Sequence, residues 1–568
     1  MSRPRGDSDG HLRVVAALLG VVALALVARL WALGWRVAHQ DESRVADWIL
    51  HYMDVGGWEY RAIIHGPFLP HVNGVVFDLL GPSDFAMRLV VALVGGLLPL
   101  AAWLYRDHLR GTEIVAVGVF LAGNPVLLYY SRFMRNDLLL AAFMLVALGL
   151  FVRALSTGRA RYLYAGVLPF ALAFTTKENS LLYPVCWLGA LVLVFDGRLV
   201  LAGASDEASR YETARAYVRG ALRSAWRYKL HLLLAVVQFA VVVVSFYAPK
   251  PDFYRLFTNP GLAPDVLRAA TLGTYDEFAG LWGSTDMQTH SYIEFLKHDL
   301  TVLGVGGLAL VSFALLGFLY DRYAAERPRA VVAFCFYWGL FSVFGYPAVS
   351  DISAGWTMVN ALVPLAVPAG VGAALVFDNG RSALAAGNTA QARAAAVVLL
   401  VAAAGTGAVA AQTSYANAQG PGNPLVQYAQ PSGQMQPTLA EIREVSATND
   451  GVDVMFYGEE FYSSNELGVE KTLRIDNYDN DTDTGGGYQG WFSRLPLPWY
   501  FGVYDANVSS TMQTEEIVEH DPPVVVTLES DEENLEVDLE ARGYTRTVHQ
   551  GYQHGRPVVF YVRANATS

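Results

Sequence analysis

Hydrophobic residues in this chain come in long blocks rather than in alternation. Runs that reach or approach the length needed to cross a bilayer lie near 12–34, 84–104, 113–130, 137–152, 162–175, 180–196, 230–248, 300–320, 330–345, 357–377 and 392–411. Because a transmembrane helix needs about 20 apolar residues, these runs predict about 11 spans. Past residue 411 the pattern changes. The stretch 412–440, containing SYANAQGPGNPLVQYAQPSGQMQPT, has no periodicity and reads as a linker. After it, VDVMFYG, PPVVVTLES and RPVVFYVRA predict strands, and ENLEVDLEARGY predicts a helix between the last two. The expected fold is an all-α polytopic membrane bundle over 1–411, followed by a small extracytoplasmic C-terminal α/β domain over 441–568.

Sidedness follows from the distribution of Lys and Arg. With the N-terminus inside, the inner loops are RDHLRG, RALSTGRAR, 197–229 with seven Lys and Arg, DRYAAERPR, and 378–393. The outer set is 36–83, YYSRFMRND, TTKENS, 249–299 and YPAVSDISAGW, which are longer or less basic. The expectation is a multi-pass plasma-membrane protein with its N-terminus cytoplasmic and its C-terminal domain outside, the first span being retained as a signal anchor. The sequons at Asn480, Asn507 and Asn565 all fall in the outer part.

Composition agrees and adds one point. Hydrophobic residues make up 53% and charged residues 16%, and mean hydropathy is +0.29; soluble domains carry nearer 25% charge. The net charge of −12 is uneven: from residue 412 onward 24 Asp and Glu face 8 Lys and Arg, a surplus of 16 negative charges, so the bundle is slightly positive. An acidic, lysine-poor outer surface is what a protein bathed in high salt presents, and a halophilic source is expected. The acidity therefore says little about partners, and nothing in the pattern points to nucleic acid. Cys186 and Cys335 both fall in apolar runs and read as packing residues, not as a disulfide or metal pair.

The spans are nearly free of ionisable residues. Arg29 and Arg88 lie near span ends, where long side chains reach the interface. Charge gathers instead at the expected outer ends: Asp41, Glu42, Arg61, His65, Arg132, Arg135, Asp137, Lys177, Glu178 and Asp351. A transporter places polar groups at mid-bilayer, whereas a reaction centre at the outer surface places them at the rim. In WRVAHQDESRVADW, a helix over 39–51 puts Asp41, Arg44 and Trp48 on one face and turns Glu42 away. Adjacent carboxylates drive their pKa values apart, which suits proton acceptance by one of them; ordinary interfacial decoration is the plain alternative. Arg132, Arg135 and Asp137 in SRFMRND stand where phosphates lie, and arginine pairs with phosphate through its planar fork. In TTKENS, Lys177 beside Glu178 reads equally as a phosphate clamp or as a self-satisfied ion pair. His65 and His71, with no other ligand-spaced residues, make a poor metal site. In the 249–299 loop, Asp286, His290 and Tyr292 are within reach of a substrate.

These residues, in this order, resemble the GT-C superfamily of integral membrane glycosyltransferases. The features are Asp-Glu after the first span, HGPFLPHVNGVVFDLLGPSDFAMRL, RFMRND, TTKENSLLYP and a long later outer loop. The likeness is to the protein O-mannosyltransferase, lipid A aminoarabinose transferase and RgtA/B/C/D-like branch. Its H-P-P-L and G-x-S-x-x-x-x-R elements stand here as His65-Gly66-Pro67-Phe68 and Gly81-Pro82-Ser83 to Arg88. RLPLPWYF, Arg494 to Phe501, is similar to the tail of an archaeal group labelled "flippase activity-associated".

The resemblance implies a transferase taking a sugar from a polyprenyl (dolichyl) phosphate donor to a glycan, lipid or protein acceptor on the outer face. Asp41 would be the base with Glu42 assisting. Arg132, Arg135 and Lys177 would hold the donor phosphate, and Asp137, Glu178, Arg44 and His65 would support them. No cofactor is required, and a divalent cation is neither demanded nor signalled. The group's label leaves a lipid-linked-sugar flippase, or a non-catalytic accessory of an N-glycosylation pathway, as the alternative.

Overall fold

The computed structural model describes residues 6–204, 210–282, 290–350, 352–420, 422–427, 430–462, 487–552 and 556–563. Asp286, Asp351 and the sequons at Asn480 and Asn565 lie outside the described residues. Nine described helices are long and apolar enough to cross a membrane, and two expected spans are the shorter apolar helices Gly111–Gly123 and Ala160–Phe174. Together these account for the eleven expected runs, and the chain is a multi-pass membrane protein.

The chain forms two compact units that are not contiguous in sequence. The first comprises 1–31, 59–69 and 89–416; the second comprises 32–58, 70–88 and 417–568. Most of the expected outer loop 36–83, namely 36–58 and 70–83, thus groups with the C-terminal part, as do the adjoining ends of two expected spans, 32–34 and 84–88.

The first unit is built around the span Gly355–Ala385, whose residues Val359–Ala374 are buried without a break. Its small residues permit this, because membrane helices gain from close backbone approach. A Cβ on Gly317 would stand 2.0 Å from the Pro368 carbonyl oxygen, one on Gly372 2.1 Å from that of Phe313, and one on Gly370 2.3 Å from the Val117 side chain. At one end of the bundle Arg329 donates to Asp321 at 2.5 Å and to Glu113 at 2.7 Å, joining three helices. The spans Gly10–Leu30, Lys229–Tyr247 and Thr389–Ala416 are mostly exposed, as lipid-facing helices are.

The second unit holds the helix α1 (Gln40–Val55) and a five-stranded mixed sheet. Strands β1 (Val454–Tyr457), β2 (Val508–Thr511), β3 (Val524–Leu528), β4 (Tyr544–Tyr552) and β5 (Arg556–Arg563) lie in the order β2-β1-β3-β5-β4. The first three are parallel, and β5 is antiparallel to both β3 and β4. Three of these strands match the expected ones. The helix expected over ENLEVDLEARGY does not form: a short 3-10 turn, Glu532–Asn534, gives way to turns that lead into β4. Leu535, Val537 and Leu539 all pack on the core of the sheet. That alternation has period two, which an extended chain satisfies and a helix does not. Asn507 opens β2 with its side-chain amide donating to Gly451 O at 3.1 Å.

Substituting Gly317→Ala should lower the apparent melting temperature of the detergent-solubilised protein, at a cost of about 1–3 kcal/mol from overpacking. Gly405→Ala, where a Cβ meets nothing within 4 Å, should leave melting unchanged or slightly raised.

Candidate functional site

In the second unit, α1 begins with a capping box. The His39 side chain accepts from the Asp41 N–H at 3.0 Å, and Glu42 Oε2 accepts from the His39 N–H at 3.0 Å. The helical spacing then separates the adjacent acids. Asp41 turns to the face it shares with Arg44, whose Nη2 donates to Asp41 Oδ1 at 3.1 Å; the Asp41 side chain is 13% exposed. Trp48 continues that face with its ring 5.4 Å from Tyr52.

Glu42 points the other way and is fully buried. Arg88 grips it in a fork, Nε to Oε1 and Nη2 to Oε2, both at 2.9 Å. Arg36 adds Nη2 at 3.3 Å. Burial pushes the Glu42 carboxyl up, but the Arg88 and Arg36 guanidinia overcome this and hold it well below the usual carboxylate range. Arg88 Nη1 also donates to the carbonyls of Leu33 and Arg36, at 3.1 and 2.9 Å. Arg88 is therefore a buried partner of Glu42, not the snorkelling residue its place in the sequence implied. Arg29, in the first unit, is likewise buried and donates to the carbonyls of Leu121 and Ala122.

The first unit gathers a second group. Asp137 stands between two cations: Lys177 Nζ donates to its Oδ1 at 3.3 Å, and Arg135 Nε lies 3.6 Å from its Oδ2. The Arg135 guanidinium lies 3.7 Å from the centre of the Trp356 ring. All three charged side chains are less than a tenth exposed. Lys177 and Glu178, adjacent in sequence, do not pair with each other. Glu178 Oε2 lies 3.0 Å from His65 Nδ1, and its Oε1 accepts from the Tyr60 hydroxyl at 2.8 Å. Burial, with Glu178 beside it, pushes the Tyr60 hydroxyl up.

The turn at 65–68 makes the Glu178 contact. His65 sits in the left-handed region at φ 64°, and Gly66 and Phe68 donate their N–H groups to the carbonyls of Thr176 and Thr175. A Cβ on Gly66 would meet Thr175 O at 2.4 Å, so the close approach explains the glycine. Arg132 has other partners: its Nη1 donates to the carbonyls of Ala28, Arg29 and Trp31, at 3.1, 2.9 and 2.7 Å. That caps the end of the first span, as cations near helix C-termini do.

One acid escaped sequence reasoning. Asp299 is fully buried, with Oδ1 accepting from Thr357 Oγ1 at 2.9 Å and Oδ2 without a hydrogen bond. Thr357 follows the Trp356 on which Arg135 rests. The helix begins at Tyr292 rather than at 300, so an acid assigned to a loop lies inside a span, where ionisable residues signal function. His290 and Tyr292 bond to the main chain at Ser350 and Phe344. Among the described residues no group of three or more His, Cys, Asp or Glu side chains is placed to hold a metal.

Residues 64–203 match the family model for dolichyl-phosphate-mannose-protein mannosyltransferase. Residues 435–563 match that for the Agl23 flippase-associated protein C-terminal domain. No curated protein matches the chain by sequence at a significant level. Among solved structures the chain is similar to ArnT from Cupriavidus metallidurans in the apo state, with TM-score 0.56 and 15% identity over 98% of this chain and 99% of that one. ArnT bound to undecaprenyl phosphate gives 0.55 and 15% over 97% and 98%. The Archaeoglobus fulgidus oligosaccharyltransferase tethered to an acceptor peptide gives 0.49 and 14% over 92% and 69%. At such identities the likeness speaks to fold, and the GT-C type expected from the sequence is the fold observed.

Breaking a buried ion pair by removing one partner costs about 3–5 kcal/mol. Glu42→Gln and Arg88→Met should each lower thermal stability on that scale, and the double variant should lose less than the two combined, as a double-mutant cycle in detergent will read. Because the Glu42 carboxyl is held low, its contribution is complete at neutral pH and disappears only as pH falls through that lowered value.

Proposed function

We propose that this protein is an integral membrane glycosyltransferase of the plasma membrane. It moves a sugar from a polyprenyl-phosphate carrier to a glycan, lipid or protein acceptor on the outer face. The observation that carries this reading is the pair of cations joined by Asp137, inside a segment, 64–203, that matches a dolichyl-phosphate-mannose-dependent family.

Transfer is a displacement at the anomeric carbon. The acceptor hydroxyl forms the new C–O bond while giving its proton to the Asp41 carboxylate. The bond from the anomeric carbon to the phosphate oxygen breaks, and its electrons leave with the lipid phosphate. That product carries one more negative charge than the donor, and Arg135 and Lys177 stabilise the charge as it develops. Glu42, locked to Arg88, assists by holding the first turn of α1, and Asp41, turned to the other face with 13% of its side chain exposed, is the base. Arg132 acts through the helix end it caps. Glu178 and His65 brace the turn that carries Lys177.

The match of 435–563 to a flippase-associated protein keeps transport of the lipid-linked sugar as the second reading. Cells carrying Asp41→Asn distinguish the two. Under transfer, addition of one sugar slows by about 100-fold or more, the range of a lost general base; the donor lipid accumulates outside and the surface glycan lacks that sugar. A complete glycan overturns the assignment. Accumulation of the lipid-linked sugar on the cytoplasmic face instead favours transport.

A further inference from the structure

The C-terminal domain reaches the acid helix through buried hydrogen bonds. Tyr500 is nearly fully buried, and its hydroxyl oxygen accepts from the Ala38 N–H at 2.7 Å while donating to Asp84 Oδ2 at 2.9 Å. Ala38 directly precedes the cap of α1. Trp499 Nε1 donates to the other Asp84 oxygen at 2.9 Å, and its ring lies 5.6 Å from Phe77. Trp491, also buried, donates to Asp47 Oδ2 at 3.0 Å on the next turns of α1. Gln430 and Gln436 donate to the carbonyls of Val37 and Trp35, at 3.3 and 3.2 Å. This segment is in turn fixed to the sheet: Arg494 Nε donates to Phe461 O at 2.9 Å, and its guanidinium lies 4.5 Å from the ring of Phe456 in β1.

Two routes therefore run from the domain into the first turn of α1. One is direct, from Tyr500 to the main chain at Ala38. The other passes through Asp84 to Arg88, one turn along the same helix, and from Arg88 to Glu42. Both end beside Asp41. A buried N–H needs an acceptor, and Tyr500, 462 residues away in sequence, supplies the one at Ala38.

We infer that Tyr500, Trp491 and Trp499 are positioning residues for the Asp41 carboxylate, so that the C-terminal domain is an integral part of the acid centre. The inference rests on the transfer reading of that centre. A carboxylate that takes a proton in flight must be held to a fraction of an ångström, and a displacement of about 1 Å is enough to cost 100-fold in rate.

The test uses the full-length protein. Tyr500→Phe removes a single oxygen and leaves the ring packed. In cells with equal amounts of protein, the rate of addition of the missing sugar should fall by about 10–100-fold. In the purified variant, hydrogen–deuterium exchange should rise over 36–48 and stay unchanged over β1, β3 and β5. Glu532→Gln, which breaks an exposed ion pair with Arg546 on the same domain, should change neither. A complete glycan with Tyr500→Phe overturns the inference, as does a truncated glycan with unchanged exchange over 36–48. If Tyr500→Phe does not fold, Trp491→Phe carries the same two readouts. Asp41→Asn separates the levels: a complete glycan there fells the transfer reading itself. A truncated glycan with Asp41→Asn beside a complete one with Tyr500→Phe fells only the positioning role.

Discussion

The buried pair of Glu42 and Arg88 is the contact on which the acid centre depends. A carboxylate with no exposure is stable only if its charge and lone pairs are matched. Arg88 matches both oxygens with its fork, and a lysine, a point charge on a flexible stem, would not. The same guanidinium reaches the carbonyls of Leu33 and Arg36, so it closes the turn between the first span and α1. Glu42 for its part closes the capping box at His39. One ion pair thus sets where α1 starts and which way its first turn faces.

That arrangement divides labour between two neighbouring acids. Successive helix positions differ by about 100° around the axis, so Glu42 is directed into the protein and Asp41 toward Arg44. The repulsion that adjacent carboxylates suffer is relieved by giving one of them two buried guanidinia. Asp41 pairs with Arg44 and keeps some exposure. The sequence raised the question of which acid does the chemistry, and the burial of Glu42 between two guanidinia supports the proposal that it is Asp41.

Much of the fold was legible because its signals are local. Apolar runs give spans, and the 41/44/48 spacing gave the shared face of α1 with the Arg44 contact. Asp137 stands two residues from Arg135, a local contact, but its hold on Lys177 joins residues 40 apart in sequence, and no pattern carried that. Arg88 and Arg29 were misread because the charge of a residue near a span end is silent about burial. Asp299 was missed through a boundary error: the helix extends eight residues further back than its apolar run, from 300 to Tyr292. The expected helix at 533–544 failed for the opposite reason, since Leu535, Val537 and Leu539 alternate and the acids between them masked the period. The struts from Trp491, Trp499 and Tyr500 were out of reach altogether, because aromatic residues in a tail carry no sign of what they touch some 400 residues away.

If the proposed transfer takes place at these cations, Asp137 has a bearing on turnover. With Arg135 and Lys177 it leaves one net positive charge, where two bare cations would leave two. A phosphodiester donor carries one negative charge and is balanced by that field; the lipid phosphate it becomes carries up to two and is not. Without the aspartate the same cations would grip the product tightly and release of the used carrier would govern the rate. Under the proposed reaction, Asp137 would, by keeping the field weak, let the site empty between cycles.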